Sequence, residues 1–323
     1  MDTVAIDRMN HDAQIHFSVQ AGPISSVTQW HDLASEAERL GFAALYVADH
    51  PGLTPDPFAA LASAASVTQT LRLGTYVLNT GVRDPLAVAA GAATVDLVSG
   101  GRMTLGMGAG HTPAEWTMAD LPYPSAADRV ARLAEFVEIV DRLLIGEVVN
   151  FDGRFLSVDD AYLLAPRPVQ SRIPLLVGGN GERLLSGAGK TADIISLTGL
   201  GKTLEDGHRH AADWSRESID ERVRAINEGG RAGRRAPILD ALVQHLEVTD
   251  RPDEAAERSA QMAPGLTSSD VIGAPYALIG TIDEIVDQLL GYRERWGFSS
   301  YVVRSDDMTT AARIIERMQS AQG

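Results

Sequence analysis

Two apolar runs in this chain end on histidine: "VADHPG" carries Asp49 and His50, and "MTLGMGAGH" carries His111. Histidine titrates near neutrality, so it can give or take a proton during a reaction. If the runs are parallel barrel strands, both residues stand at C-terminal strand ends, where such barrels carry their catalytic groups. Two such ends can converge on one pocket. His50 and His111 are therefore candidate acid–base residues, and the choice between them stays open. Asp49 could orient His50 or cap the segment that follows. No metal is expected, because the acidic residues do not fall in a recognisable zinc or iron spacing. The chain has no cysteine, which excludes disulfides, thiolate metal sites and a cysteine nucleophile.

Two glycine-rich stretches compete as ligand loops. A dinucleotide fingerprint needs G-x-G-x-x-G opening directly into a helix. "GMGAGH" supplies Gly106, Gly108 and Gly110 but puts His111 at the third fingerprint position, with Pro113 and a polar stretch behind it. Gly108 and Ala109 read better as small residues late in a strand that let a flat ligand approach the backbone, or as glycines that make room inside a barrel. "LLVGGNGERLL" is the stronger anion site, with an apolar strand meeting Gly178, Gly179, Asn180 and Gly181 before a helix. Unpaired N–H groups and the dipole at a helix N-terminus favour a phosphate. The plainer reading is an ordinary βα turn. Lys202, one of only two lysines, follows the next apolar run. "HRH", with His208 and His210, reads as a solvated loop.

The elements that must position these residues alternate along the chain. Apolar strands are expected at Ile15–Gln20, Ala44–Asp49, Leu71–Asn79, Met103–Ala109, Leu175–Gly179, Asp193–Thr198, Ile238–Val248 and Ser299–Ser305. Helical periodicity separates nearly all of them. Val27, Trp30, Leu33, Ala37 and Leu40 share one helical face, and Val130, Leu133, Phe136, Val137, Val140 and Leu144 another. Thr281 with Glu284 forms a capping box, and Asp152-Gly153 marks a small hairpin. Eight βα units predict an α/β fold, a (β/α)8 TIM barrel with insertions. No linker or break in composition divides it, so one domain over residues 1–323 is expected. A doubly wound sheet with an appended domain is the competitor.

The 323 residues are 45% hydrophobic, enough for a substantial core. With 28 basic against 43 acidic residues the net charge is −15. That surface repels phosphate backbones and anionic lipid, so nucleic acid and membranes are not expected partners. No apolar run reaches the roughly 18 residues of a membrane span, and the N-terminal stretch lacks the apolar core of a signal peptide. The expectation is a cytoplasmic protein acting on a small molecule.

The combination of "VADH", "LRLGTYVLNTGVRDPLAVAAGAATVDLVSGGRMTLGMGAG", "APRPVQSRIPLLVGGNGERLL" and "ALIGTIDEIVDQLLGYRERWGFSSYVV" resembles the bacterial luciferase-like flavin and deazaflavin oxidoreductases. Within them it is most similar to the coenzyme F420-dependent subgroup. The resemblance spans nearly the whole chain. It implies a (β/α)8 barrel with the ring system at the C-terminal mouth, a phosphate on the turn at Gly178, Gly179 and Asn180, and help from Thr198. It implies a non-proline cis bulge at Tyr76–Val77 backing the ring, with Asn79 as a polar contact to it. Asp49, Gly108 and Ala109 complete the implied cofactor contacts, and His50 matches a histidine used for proton transfer in some members. His111 departs from the sugar-phosphate dehydrogenase branch, which keeps a glutamate there. Arg72, Arg183 and Lys202 are candidates to hold the anionic tail of F420. The resemblance further implies a homodimer, and it leaves open FMN with a partner reductase, or a flavin binder without turnover.

Overall fold

The computed structural model describes residues 14–203, 210–230, 236–261 and 264–320. The barrel strands are β1 His16–Gln20, β2 Ala44–Val47, β3 Arg72–Thr75, β4 Met103–Gly108, β5 Leu175–Gly178, β6 Ile194–Leu197, β7 Ile238–Leu242 and β8 Phe298–Arg304. The sheet order is β3-β2-β1-β8-β7-β6-β5-β4, and β4 pairs back onto β3, so the eight strands close. β2 pairs with β3 and β1 with β8 in parallel, with Leu45 opposite Leu73 and Phe17 opposite Tyr301. The helices are α1 Val27–Arg39, α2 Pro57–Ala65, α3 Pro85–Ser99, α4 Pro113–Met118, α5 Ala126–Leu144, α6 Glu182–Thr191, α7 Arg216–Gly230, α8 Pro252–Ala260, α9 Ser268–Gly273, α10 Ile282–Trp296 and α11 Met308–Ser320. The fold is the expected (β/α)8 barrel of luciferase-like type, with insertions.

By contact density the chain divides into two compact units. One comprises Pro23–Glu38 and Ala44–Val177; the other comprises residues 14–22, Arg39–Ala43 and the chain from Gly178 onward.

In the first unit, α2 and α3 begin alike. Asp56 and Asp84 accept the N–H groups of Ala59 and Ala87, and proline opens each helix. A proline there loses no intrahelical bond, and the aspartate satisfies an orphan donor. Gly100 ends α3 at φ 70°, a left-handed conformation that favours glycine. Strand β3 is interrupted by a cis peptide at Tyr76–Val77 and resumes at Leu78–Asn79, which pairs with Met107 and Gly108 of β4. The Thr75 hydroxyl bridges the gap, donating to the Gly106 carbonyl at 2.7 Å and accepting its N–H at 2.8 Å. A Cβ at Gly106 would collide with the Thr75 carbonyl oxygen, so only glycine admits this contact. On α1, Trp30, Ala34 and Ala37 are buried but Val27 is exposed. Val27 is the first residue of the helix. On α5 the expected face is buried from Leu133 to Leu144, but Val130 is only half-buried. The hairpin forms from Val149–Asp152 and Ser157–Ala161.

In the second unit, the run expected as one strand over Ile238–Val248 is two. Barrel strand β7 ends at Leu242, and His245–Val248 pairs in parallel with Ala277–Gly280. The break has a local cause: the Gln244 and His245 N–H groups both turn to the Tyr276 carbonyl. The capping box on α10 is present, with Thr281 accepting the Glu284 N–H and Glu284 accepting the Thr281 N–H. Phe17 of β1 stacks on Tyr301 of β8 at 5.7 Å, both essentially buried. Burying such a ring contributes about 2–3 kcal/mol.

Candidate active site

The first unit gathers His50, His111, Asp49 and Asn79 at strand ends, and adds a residue that the sequence reading missed. His50 follows β2. Its Nδ1 lies 2.6 Å from Oε1 of Glu115 on α4. The other carboxylate oxygen of Glu115 accepts a 2.6 Å bond from the Asn79 amide, and the Asn79 Oδ1 accepts the Gly81 N–H at 3.0 Å. Glu115 is 2% exposed, whereas the His50 side chain is 39% exposed. Burial alone would raise the carboxyl pKa. Bonds from His50 and Asn79, with the electrostatic influence of the two nearby histidines, His50 and His111, outweigh burial and hold it below the ordinary value.

The stretch from Pro113, expected as polar and irregular, begins with helix α4. Trp116 explains how so short a helix is held. It is buried against Gly81, where an added Cβ would overlap the indole, and it meets the edge of Tyr123 at 6.0 Å. With Trp116 fixed inward, the neighbouring Glu115 is carried inward too. The Tyr123 hydroxyl donates to the His111 carbonyl at 2.8 Å. The His111 ring stands edge-on to His50 with centroids 6.2 Å apart. The two histidines are thus brought together. A proline at the first helical position and the Glu-Trp pair after it were the available signals for Glu115.

Asp49, expected to orient His50 or cap the next segment, is committed to the segment after β3. It takes both arms of Arg83 at 2.7 Å and the Asn79 N–H at 3.0 Å. This bidentate pairing raises the Arg83 pKa. Asp49 is therefore a brace between β2 and the segment after β3. The Asn79 side chain, expected as a ring contact, is engaged on both sides by Glu115 and Gly81. Tyr76 is buried and packs on Tyr46 at 5.0 Å, whereas Val77 is half-buried. Gly108 lies under Val77, whose methyl would be 2.6 Å from an added Cβ; Ala109 is half-buried just beyond. Gly110, at φ 70°, faces Asn79 so closely that a Cβ would collide with its Oδ1. The glycines of "GMGAGH" thus pack against the β3 bulge and Asn79. Arg72, a candidate for an anionic tail, sits at the N-terminal end of β3. It is buried there, bonded to the Met103 carbonyl and Gln170, at the opposite strand end from His50.

The second unit holds the glycine turn. Gly178 ends β5, and the Gly179 N–H is used within the sheet, donating to the Ser196 carbonyl at 3.0 Å. The donors that can face an anion are those of the first turn of α6, which have no intrahelical acceptor. Gly181 caps that helix without a side-chain bond, and space for a Cβ there is open. Asn180 reaches across to the end of β6, donating to the Thr198 hydroxyl at 2.7 Å and the Leu200 carbonyl at 2.6 Å. Its Oδ1 accepts the Gly199 N–H at 3.3 Å. The Thr198 oxygen also accepts the Leu200 N–H at 3.3 Å. A hydroxyl that accepts two bonds still carries one proton that it can donate. Gln244 holds the Thr198 carbonyl at 2.7 Å. Arg183, in the first turn of α6, is exposed. The side chains of Lys202 and His210, and all of His208, lie outside the described residues.

A family described as luciferase-like monooxygenase matches residues 9–263. The chain is similar to an F420-dependent glucose-6-phosphate dehydrogenase from Beutenbergia cavernae, at 30% identity over 250 residues, 73% of this chain and 69% of the relative. It is similar to a 5,10-methylenetetrahydromethanopterin reductase from Methanopyrus kandleri, at 26% identity over 86% of this chain and 89% of the relative. Among solved structures, the coenzyme F420-dependent tetrahydromethanopterin reductase from Methanopyrus kandleri superposes with a TM-score of 0.73 at 21% identity, covering 94% of this chain and 97% of that one.

Proposed function

The chain belongs to the luciferase-like monooxygenase family, and from that premise we propose that it is a coenzyme F420-dependent oxidoreductase. The reaction is hydride transfer between the deazaflavin and a small organic substrate. The observation that carries this reading is His50, half-exposed at a strand end and held by a buried carboxylate beside a second histidine. When bound, the cofactor supplies the hydride donor or acceptor, and the protein supplies position and proton transfer.

The residues present fit the phosphate of such a cofactor. The first-turn N–H groups of α6 and the Thr198 hydroxyl form a neutral donor set, with Asn180 as its buckle. Arg183 is the described cation beside that turn that can meet an anionic tail. Tyr76, Val77, Gly108 and Ala109 form the surface we assign to the ring, and Asp49 and Asn79 act behind it rather than on it. His50 moves the proton. His111 assists at the edge of the same cluster, in place of the glutamate of the sugar-phosphate branch. We therefore propose an alcohol or carbonyl substrate without a phosphate.

Titration with F420, FMN and NADPH tests the reading. Tight F420 binding with weak FMN and NADPH binding is expected. Tight FMN binding without F420 affinity overturns it in favour of an FMN-dependent monooxygenase, supplied with reduced flavin by a partner reductase. F420 binding without turnover of alcohols, ketones, enones or sugar phosphates would leave only a cofactor binder. One cytoplasmic barrel domain, paired as a homodimer, completes the proposal. Leu86, Leu97 and Val98 give α3 an exposed apolar side of 39–53% relative exposure. A monomeric mass by light scattering would remove the dimer.

A further inference from the structure

The residues behind His50 form a chain of hydrogen bonds whose direction is set at a backbone amide. The Gly81 N–H can only donate, so the atom of Asn79 that meets it must be the oxygen. The Asn79 amide nitrogen then faces Glu115 and donates to Oε2 at 2.6 Å. Against its burial, Glu115 is held ionised at neutral pH by its bonds to His50 and Asn79. An ionised carboxylate only accepts. Nδ1 of His50, 2.6 Å from Oε1, must therefore carry a hydrogen. In the neutral imidazole the lone pair then belongs to Nε2.

We propose that Glu115 and Asn79 are positioning residues that fix His50 as the Nδ1–H tautomer and so make Nε2 its proton-accepting nitrogen, with the direction imposed by the Gly81 amide. The proposal rests on the role given to His50 above. For an alcohol substrate, the hydroxyl O–H bond breaks and its proton goes to Nε2. Bound F420, in its oxidised form, would supply the acceptor for the carbinol hydrogen as hydride, so that C=O can form as the proton goes to Nε2. In the reverse direction the Nε2–H of the imidazolium returns the proton to the new alkoxide. Without the relay nothing in this network selects Nδ1, and the wrong tautomer would offer Nε2–H where a lone pair is needed.

The test exchanges the two partners. In Glu115→Gln, Asn79 still presents its amide nitrogen, so the glutamine must turn its oxygen to Asn79 and its NH2 to His50. Nδ1 then becomes the acceptor, and the tautomer inverts to Nε2–H. In the double variant E115Q/N79D, the carboxylate placed at position 79 accepts both the Gly81 N–H and the glutamine NH2. The glutamine oxygen returns to His50, and the Nδ1–H tautomer is restored with the net charge unchanged.

The tautomer is read by long-range 1H–15N NMR on cofactor-free protein labelled with 15N-histidine, with His50 assigned by its loss in His50→Gln. We expect Nδ1–H in the native protein, Nε2–H in E115Q and Nδ1–H again in the double variant. Turnover with F420 should fall about 100-fold in E115Q, as for loss of a general base, and recover at least tenfold in the double variant. F420 affinity should stay within about twofold throughout, because the anion-binding turn is untouched. An Nε2–H tautomer in the native protein overturns the relay, whether or not either variant folds. So does a double variant that folds but keeps the tautomer of E115Q. The NMR needs no cofactor, so failure to bind F420 would sink the functional reading while leaving the tautomer result to stand or fall by itself.

Discussion

Two asparagines, Asn79 and Asn180, do the same thing in different surroundings. Each has its Oδ1 pinned by a glycine N–H, from Gly81 at 3.0 Å and from Gly199 at 3.3 Å. Each offers its amide nitrogen to one side-chain acceptor, Glu115 for Asn79 and the Thr198 hydroxyl for Asn180. The outcomes are opposite. Glu115 only accepts, so in the proposed relay the chain beyond it makes Nε2 of His50 the proton acceptor. Thr198 accepts these bonds and carries a proton of its own, so the second network ends on a group that can also donate. The first arrangement suits proton removal, and the second suits holding an anion. On the proposed function, one amide would serve proton transfer in the first network and anchoring in the second, according to whether its partner has a proton of its own.

Removing the reactive end of the first network is the severest way to break the contrast. His50→Ala should lower kcat at least 100-fold while leaving the F420 dissociation constant nearly unchanged, as measured by fluorescence titration and steady-state rates. An equal loss of affinity would show that His50 belongs to the anchor instead. Next in size is Arg83→Ala. It leaves the buried Asp49 carboxylate without its guanidinium partner, and should destabilise the protein by about 2–4 kcal/mol in urea unfolding. A change below about 0.5 kcal/mol would mean Asp49 does not depend on that pairing.

Thr198→Val keeps the shape and removes the hydroxyl assigned to the anion. It should weaken F420 binding about five- to tenfold, close to the ~1 kcal/mol of one hydrogen bond, with kcat at saturating cofactor unchanged. A fall in kcat at saturation would erase the division between the two networks. Gly181→Asp should separate apo stability from affinity. Its backbone, at φ −77° and ψ 134°, suits an N-cap, so the apo protein should gain a few tenths of a kcal/mol. F420 affinity should drop, because the new carboxylate competes for the same N–H groups.

A smaller test uses pH away from both networks. Glu38 accepts the N–H groups of Gln69, Thr70 and Leu71 ahead of β3. Burial opposes its ionisation, but these bonds outweigh it and lower the pKa. A carboxyl with a lowered folded-state pKa adds stability above its unfolded pKa and loses it as pH falls through the folded value. Glu38→Gln should therefore cost about 1 kcal/mol at pH 7. That cost should shrink below about pH 4 in denaturant titrations at the two pH values.

Much of the frame was legible in local pattern. Apolar runs and helical periodicity marked the barrel strands, and Thr281 with Glu284 announced the start of α10. The run from Ile238 to Val248 misled because its apolar alternation continues through Gln244, where two N–H groups leave the barrel sheet for Tyr276. His50, His111 and Thr198 were legible as strand-end residues, and the Tyr76–Val77 cis bond through family resemblance. Glu115 was not, because the stretch from Thr112 reads as polar and irregular. Its inward direction depends on Trp116 finding the bare face of Gly81, which no spacing within the stretch reveals.

The amino-acid sequence alone determined the alternation of strands and helices, the caps, and which residues stand at strand ends. These follow from backbone preferences and periodicity within a few residues. Only the tertiary structure decided what each strand-end residue faces. His50 and Glu115 are 65 positions apart, and Arg83 rather than His50 claims Asp49. Such pairings arise where the registers of β2, β3 and β4 bring distant side chains within bonding range, and there the requirement that every buried donor meet an acceptor selects the partners.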